Sequence, residues 1–193
     1  MILSKPDILR YLRDGKLGFD PAINPKTQVA QVSIDLHLGN RFTVFKAPPA
    51  YLTSITMDRS IWQSVDLWQH YEQNEFLLSP GGFVLAQTLE TVYIPPDLVG
   101  LVEGRSSWAR IGVTIHVTSP KIDPGFNSHI TLEMSNLGKV SVNLRAGIDM
   151  PAQLMLLKLT TPVAESDLYG TGPDDMFQGQ ETPIPHKTKP TRK

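Results

Sequence analysis

The sequence predicts a mainly all-β fold, a barrel or sandwich of about ten short strands. Sixteen prolines and fourteen glycines among 193 residues leave short β-rich runs between turn signals. Several of those runs, at 32–38, 130–135 and 140–144, alternate apolar and polar residues with the period of a strand that buries one face. No internal repeat is present, and the length suits one domain with a sizeable core.

Taken in order, Ser4 is placed to cap a first short helix, with Asp7 as its acidic N3 residue and Pro6 tolerated in the first turn. Ile8, Leu9 and Leu12 form its apolar stripe and Gly15 ends it. Residues 18–26 read as a proline-punctuated loop. Over 32–38, Val32, Ile34, Leu36 and Leu38 face one way and Ser33, Asp35 and His37 the other. Residues 41–45 continue that strand or pair with it. Within 47–75, Trp62, Val65, Leu67 and Trp68 fit a short amphipathic helix or an irregular flap.

Residues 76–78 and 83–86 read as two strands around Pro80-Gly81-Gly82, and 88–94 as another, halted by Pro95-Pro96. A short apolar run at 98–102 leads to Gly104. Residues 106–111 have the length of one or two helical turns, stopped by Gly112. Strands follow at 113–118, 130–135 and 140–144, with a last apolar run at 153–159. Beyond Thr160 the chain is rich in glycine and proline and ends basic, at Lys187, Lys189, Arg192 and Lys193. The expected organisation is a folded unit over 1–160 and a tail over 161–193 that is disordered or drapes over the body.

A formal charge of −1 gives no bulk electrostatic case for nucleic acid or a membrane surface. No apolar run approaches the roughly 20 residues that span a bilayer, and the charged N-terminus lacks a signal-peptide core. A soluble cytoplasmic protein is the expectation. Cysteine is absent, which excludes disulfides and thiolate-bound zinc. The five histidines show no metal-ligand spacing.

The chemistry concentrates between Gly104 and Gly138. Arg105, Ser106, Ser107 and Arg110 offer donors and positive charge for phosphate oxygens. A helix N-terminus there would favour an anion, and Gly104 permits close backbone approach. Asp123 occupies an Asp-Pro-Gly turn. Glu133 lies with Thr131 and Ser135 on the face opposite Ile130, Leu132 and Met134.

Each feature has a plainer reading. Ser106 or Ser107 could merely cap a surface helix with solvated arginines. Asp123 is ordinary turn chemistry, and Glu133 a wet strand position. His116 reads as a hydrogen-bonded histidine, and the tryptophans as core or interface. Gln178-Gly179-Gln180, a glycine-hinged pair of amides, is unusual in a flexible end, though a linker accounts for it locally.

Together the pieces are more specific. The runs G-R-S-S-x-A-R at 104–110, H-V-T at 116–118, I-D-P-G-F at 122–126 and T-L-E at 131–133 resemble the dCTP deaminase family of the dUTPase-like superfamily. The segment at 33–39 is similar to the family's S-x-D-L-x-L-G strand, and 177–180 to its Y-Q-G-Q tail. The resemblance spans nearly the whole chain. It implies a distorted dUTPase-like β-barrel assembled as a homotrimer, with active sites shared between subunits. It also implies dCTP as substrate, Mg2+ carried on its triphosphate, hydrolysis of the C4 amine to give dUTP without zinc, and feedback inhibition by dTTP.

By position, Glu133 would be the general base and acid, with Ser106 and Arg110 ordering the water and steadying developing charge. Arg105, Ser107 and Gln180 would hold phosphates. Thr131, Leu132 and the backbone near Val117 would line the base. Asp123 would hold the 3′-hydroxyl, and Tyr169 would close the site from the tail. Trp108, Ala109 and Met176 complete the substrate-binding set. The chain departs from the family at Met176, where a lysine is common, at Phe177, in place of tyrosine, and at Glu181-Thr182-Pro183, which lacks the family's glycine.

Zinc deaminases rely on His/Cys ligands and an H-x-E signature, and neither cysteine nor H-x-E occurs here. Water, with a pKa of about 15.7, would then be activated without a metal that lowers it to about 7. A buried Glu133 raised toward roughly 6–7 could take that proton and return it to N3 and the leaving amine. Arg110 would pull the other way, toward the ionised form. A fixed donor such as Ser106 contributes about 3–4 kcal/mol to a tetrahedral intermediate. Two alternatives stand beside this reading: a bifunctional relative forming dUMP and pyrophosphate, and a non-catalytic nucleotide-binding regulator on the same fold. A plain dUTPase, using Asp123 to activate water, would not need the Arg110/Glu133 pairing.

Overall fold

The computed structural model describes residues 1–47, 54 and 67–184. Helix α1 (Lys5–Arg13) opens the chain as expected, with Ser4 at its N-cap. The Ser4 hydroxyl donates to Asp7 Oδ2 at 2.9 Å instead of accepting a backbone N–H. Its buried side chains are Ile8 and Tyr11, while Leu9 and Leu12 are half-buried against the core. The loop at 18–26 carries a short strand, β1 (Gly18–Asp20), and the start of α2 (Pro25–Gln28).

The remaining strands are β2 (Ser33–Leu36), β3 (Arg41–Phe45), β4 (Trp68–Glu72), β5 (Glu75–Leu78), β6 (Phe83–Tyr93) and β7 (Leu98–Gly104). They continue with β8 (Val113–Thr114), β9 (Lys121–Ile122), β10 (Asn127–Asn136), β11 (Val142–Arg145) and β12 (Ala152–Lys158). Among the described residues they form three antiparallel sheets: β4-β3-β6-β10-β8 with β1 also on β6, β2-β12-β7-β9, and β11-β5. All three line one apolar core that includes Ile34, Leu36, Leu78, Val84, Leu132, Met134, Leu144 and Leu154, each 2 % exposed or less. The mainly β expectation holds, with three separate sheets packed around that core.

Several local expectations are corrected. β2 is buried on both faces, not one: Ser33 and Asp35 are covered because β12 and the residue after β7 bring Gln153 and Arg105 against them. Residues 41–45 do not continue β2; Leu38 and Gly39 donate their N–H groups to Asp149 and Gln87, and β3 enters another sheet. The turn at 80–82 is real, with Gly81 at φ +73, but it switches sheets: β5 pairs with β11 and β6 with β10. Segments 83–86 and 88–94 fuse into β6, with an irregularity opposite Ile130 that Thr88 fills by accepting the Ile130 N–H at 3.0 Å. Trp68 opens β4 rather than a helix, while Trp62 and Val65 lie outside the described residues.

The tail drapes. One 3-10 turn, Glu165–Asp167, is followed by Tyr169, whose N–H reaches Pro124 O at 2.9 Å. Farther on, Arg41 donates to the Glu181 carbonyl and Ile184 is buried. The basic end at 185–193 lies outside the described residues.

Candidate active site

β10 carries the ridge on which the site is built. Its alternation places Ser128, Ile130, Leu132, Met134 and Asn136 in the interior and leaves Thr131, Glu133 and Ser135 half-exposed on the other face. Glu133 Oε2 accepts the Val117 N–H at 2.9 Å. That bond also explains why the segment expected as a strand over 113–118 stops at Thr114: the Val117 amide is bonded to a side chain, not to a ladder partner. Leu132 is fully buried, so only its backbone can face a ligand. Thr131 Oγ1 accepts from Gln180 Nε2 at 2.8 Å, which joins a strand residue expected at the base to the tail residue expected on phosphate.

Helix α3 (Ser106–Ala109) follows β7 directly. Arg105, not a serine, occupies its N-cap position, and no side-chain capping bond forms. Ser106, Ser107, Ala109 and Arg110 are exposed, while Trp108 is half-buried against the core. Among the described residues Arg110 makes no ion pair, and nothing within the chain bonds it or Ser106 to Glu133. Arg105 is held on two sides: Nε lies 3.1 Å from Asp35 Oδ2, and Nη1 donates to Met150 O at 3.0 Å. Burial pushes the Asp35 carboxyl above its usual value, and Arg105 opposes that shift.

Asp123 keeps its turn role, with Phe126 N–H on its carbonyl at 3.1 Å, and pairs with Lys121 at 2.7 Å. Tyr169 packs its ring against Phe126 and accepts the Phe177 N–H at 3.1 Å. Its hydroxyl pKa is raised by burial first; the bond from Phe177 opposes that, and the charges of Asp175 and Asp123 add to it. Met176 is half-buried in the folded tail. His116 is only half-satisfied: Nε2 lies 3.2 Å from Glu103 Oε2, while buried Nδ1 has no partner among the described residues.

The structure therefore gathers Glu133, Val117, Thr131 and Gln180, and separately Asp123 with Tyr169. It leaves Ser106, Ser107 and Arg110 facing outward. A cavity of about 280 Å³ between β3, β4 and the tail is lined by Arg41, Thr43, His70, Glu72 and Glu181, and by none of the predicted site residues. Two contributors escaped sequence reasoning, Asp35 as a partner of Arg105 and Gln178 as a tail contact. Their signals were the aspartate of the S-x-D-L-x-L-G-like strand and the first amide of the Y-Q-G-Q-like tail, neither of which names its partner. Among the described residues no three His, Asp or Glu side chains converge as a ready metal-ligand set.

A family profile described as dCTP deaminase-like matches residues 2–159. A dCTP deaminase of Natronomonas pharaonis is 41% identical over 183 residues, 95% of this chain and 92% of that relative. A dUMP-forming dCTP deaminase of Dictyoglomus thermophilum is 43% identical over 169 residues, covering 88% of this chain and 86% of that relative. In the crystal structure of 2′-deoxycytidine 5′-triphosphate deaminase from Agrobacterium tumefaciens, the same fold recurs with a TM-score of 0.62 and 21% identity. That match covers 86% of this chain and 50% of the other.

Proposed function

The chain belongs to the dCTP deaminase-like family and is an enzyme that deaminates dCTP; on that premise we propose where and how its residues do so. The observation that carries the proposal is Glu133, a strand carboxylate half-exposed beside Thr131 and aligned by the Val117 N–H at 2.9 Å. Glu133 takes a proton from water as its oxygen adds to C4 of the cytosine ring. The proton passes to N3, a tetrahedral carbon forms, and a second transfer converts the C4 amine to leaving ammonia, so that a C4 carbonyl remains. Ser106 and Arg110 order the water and stabilise the charge on the tetrahedral species. The backbone at Val117 and Leu132, with Thr131, borders the base.

The active unit is a homotrimer in which α3 of one subunit faces β10 of the next. Supporting that reading, Ser106, Ser107 and Arg110 are exposed and, among the described residues, form no hydrogen bond or ion pair with Glu133. Arg105 and Ser107 bind the triphosphate, with Gln180 reaching the site from the tail over 161–193. Asp123 receives the deoxyribose 3′-hydroxyl, and Tyr169 closes that side. Trp108, Ala109 and Met176 border the substrate.

Mg2+ enters on the triphosphate oxygens, the hard ligands that this cation prefers. The C4 chemistry runs without zinc, in keeping with a sequence that has no cysteine. Feedback by dTTP and a cytoplasmic setting complete the reading; no helix among the described residues is long and apolar enough to cross a membrane.

The product is dUTP. The dUMP-forming name of the Dictyoglomus thermophilum relative favours a second reading, in which the same chain also releases pyrophosphate. Chromatography of incubations with dCTP, dUTP and CTP in the presence of Mg2+ separates the two. Accumulating dUTP supports the first, dUMP with pyrophosphate establishes the second, and unchanged dCTP overturns both.

A further inference from the structure

The tail carries two glutamines in Gln178-Gly179-Gln180, and only the second has a role above. The Gln178 side chain bridges three backbone groups. Its Oε1 accepts the Asn127 N–H at 2.9 Å, and its Nε2 donates to Gly125 O at 2.9 Å and, more weakly, to Tyr169 O at 3.4 Å. Both ends of the amide are therefore satisfied, one by the first residue of β10 and the other by the Asp-Pro-Gly turn.

Two glycines shape the cradle. Gly125 and Gly170 have φ of +89 and +98, a region that L side chains rarely adopt. A Cβ on Gly170 would lie 2.9 Å from Gln178 Cγ and Nε2. Asp175 braces the same loop, accepting the N–H groups of Gly170 and Gly172 at 2.8 Å each. One residue past the bridge, Gly179 at φ +65 turns the chain. Gln180 then donates to Thr131 Oγ1 at 2.8 Å and to His129 O at 3.3 Å, and its carbonyl accepts from the Ser128 hydroxyl at 3.1 Å. Between the apolar anchors at Tyr169 and Ile184 the 178–180 segment is Gln-Gly-Gln, so its placement depends on such bonds.

We propose that Gln178 is a positioning residue: it ties the tail to the 123–125 turn and to the start of β10 so that Gln180 arrives at Thr131. It does not itself touch substrate. The kinetic part of the test rests on the dCTP reading; the structural part does not.

The test uses full-length Gln178→Ala, Gln180→Ala and the double variant. Losing two well-formed bonds should lower kcat/KM for dCTP by about tenfold, chiefly through KM. The double variant should be no worse than Gln180→Ala alone, because both changes remove one placement. Chymotryptic cleavage after Tyr169 and Phe177 should accelerate in Gln178→Ala while the melting temperature of the body stays unchanged. Gly170→Ala, whose new methyl would lie 2.9 Å from the Gln178 side chain and whose backbone is strained at φ +98, should reproduce the phenotype.

Losses that multiply in the double variant would overturn the proposal, as would a tail as protease-resistant in Gln178→Ala as in the parent. If the parent protein leaves dCTP unchanged, the dCTP reading fails, and the proteolysis comparison alone decides the tie: faster cleavage supports it and unchanged cleavage rejects it.

Discussion

Glu133→Gln isolates proton transfer from geometry. Glutamine has the shape of glutamate, and its amide oxygen can go on accepting the Val117 N–H now bonded to Oε2 at 2.9 Å. The strand beneath is fixed by Leu132 and Met134, both fully buried, so the side chain keeps its place. What disappears is basicity. General acid–base catalysis contributes about 10²–10⁴-fold, equivalent to roughly 3–6 kcal/mol at about 1.4 kcal/mol per tenfold. The expected outcome is a kcat lower by that factor, with dCTP affinity within about threefold of the parent protein.

Glu133→Ala provides the internal control, because it also leaves the Val117 N–H without its partner. It should cost about 1 kcal/mol more, read as weaker dCTP binding or reduced stability. Ammonia release gives the rate, and titration calorimetry gives the affinity. A Glu133→Gln enzyme turning over at more than about a tenth of the parental rate would falsify the assignment of Glu133 as the proton carrier. Loss of affinity equal to the loss of rate would show instead that Glu133 binds the ground state.

Asp35→Ala should raise KM for dCTP by about tenfold with little change in kcat, since it frees the Arg105 guanidinium on one side while Met150 O still holds the other; a fall in kcat alone would contradict that role. Leu132→Ala should cost about 2–5 kcal/mol in urea unfolding, because its side chain is fully enclosed. Asp97 joins Tyr11 and Lys158 in one cluster. Burial pulls its carboxyl upward, but the bonds from Lys158 and Tyr11 outweigh this and lower it below 3.8. Its contribution is thus present above pH 3.8 and lost as pH falls through the lowered value, so the stability gap between parent and Asp97→Asn should narrow below that pH in urea titrations. Chelating Mg2+ should weaken dCTP binding more than dCMP binding, measured by calorimetry, if the cation travels on the triphosphate.

The sequence by itself determined the class of fold and the facing of the central strand. Both depend on local periodicity: side chains along a strand alternate, so Ile130, Leu132 and Met134 were bound to turn inward and Thr131 and Glu133 outward. The cluster from Arg105 to Arg110 was legible for the same reason, its residues being neighbours along the chain. Tertiary structure alone decided what meets those groups.

The polar face of β2 reads as solvent-facing until β12 and Arg105 cover it. The Pro80-Gly81-Gly82 turn looks like a hairpin, yet its strands enter different sheets because β11 and β10 arrive from far along the chain. The tail reads as a linker, yet Gln178 finds Asn127 51 residues away. Local pattern sets which way a side chain points; its partners depend on chain closure over long separations, which local pattern does not encode.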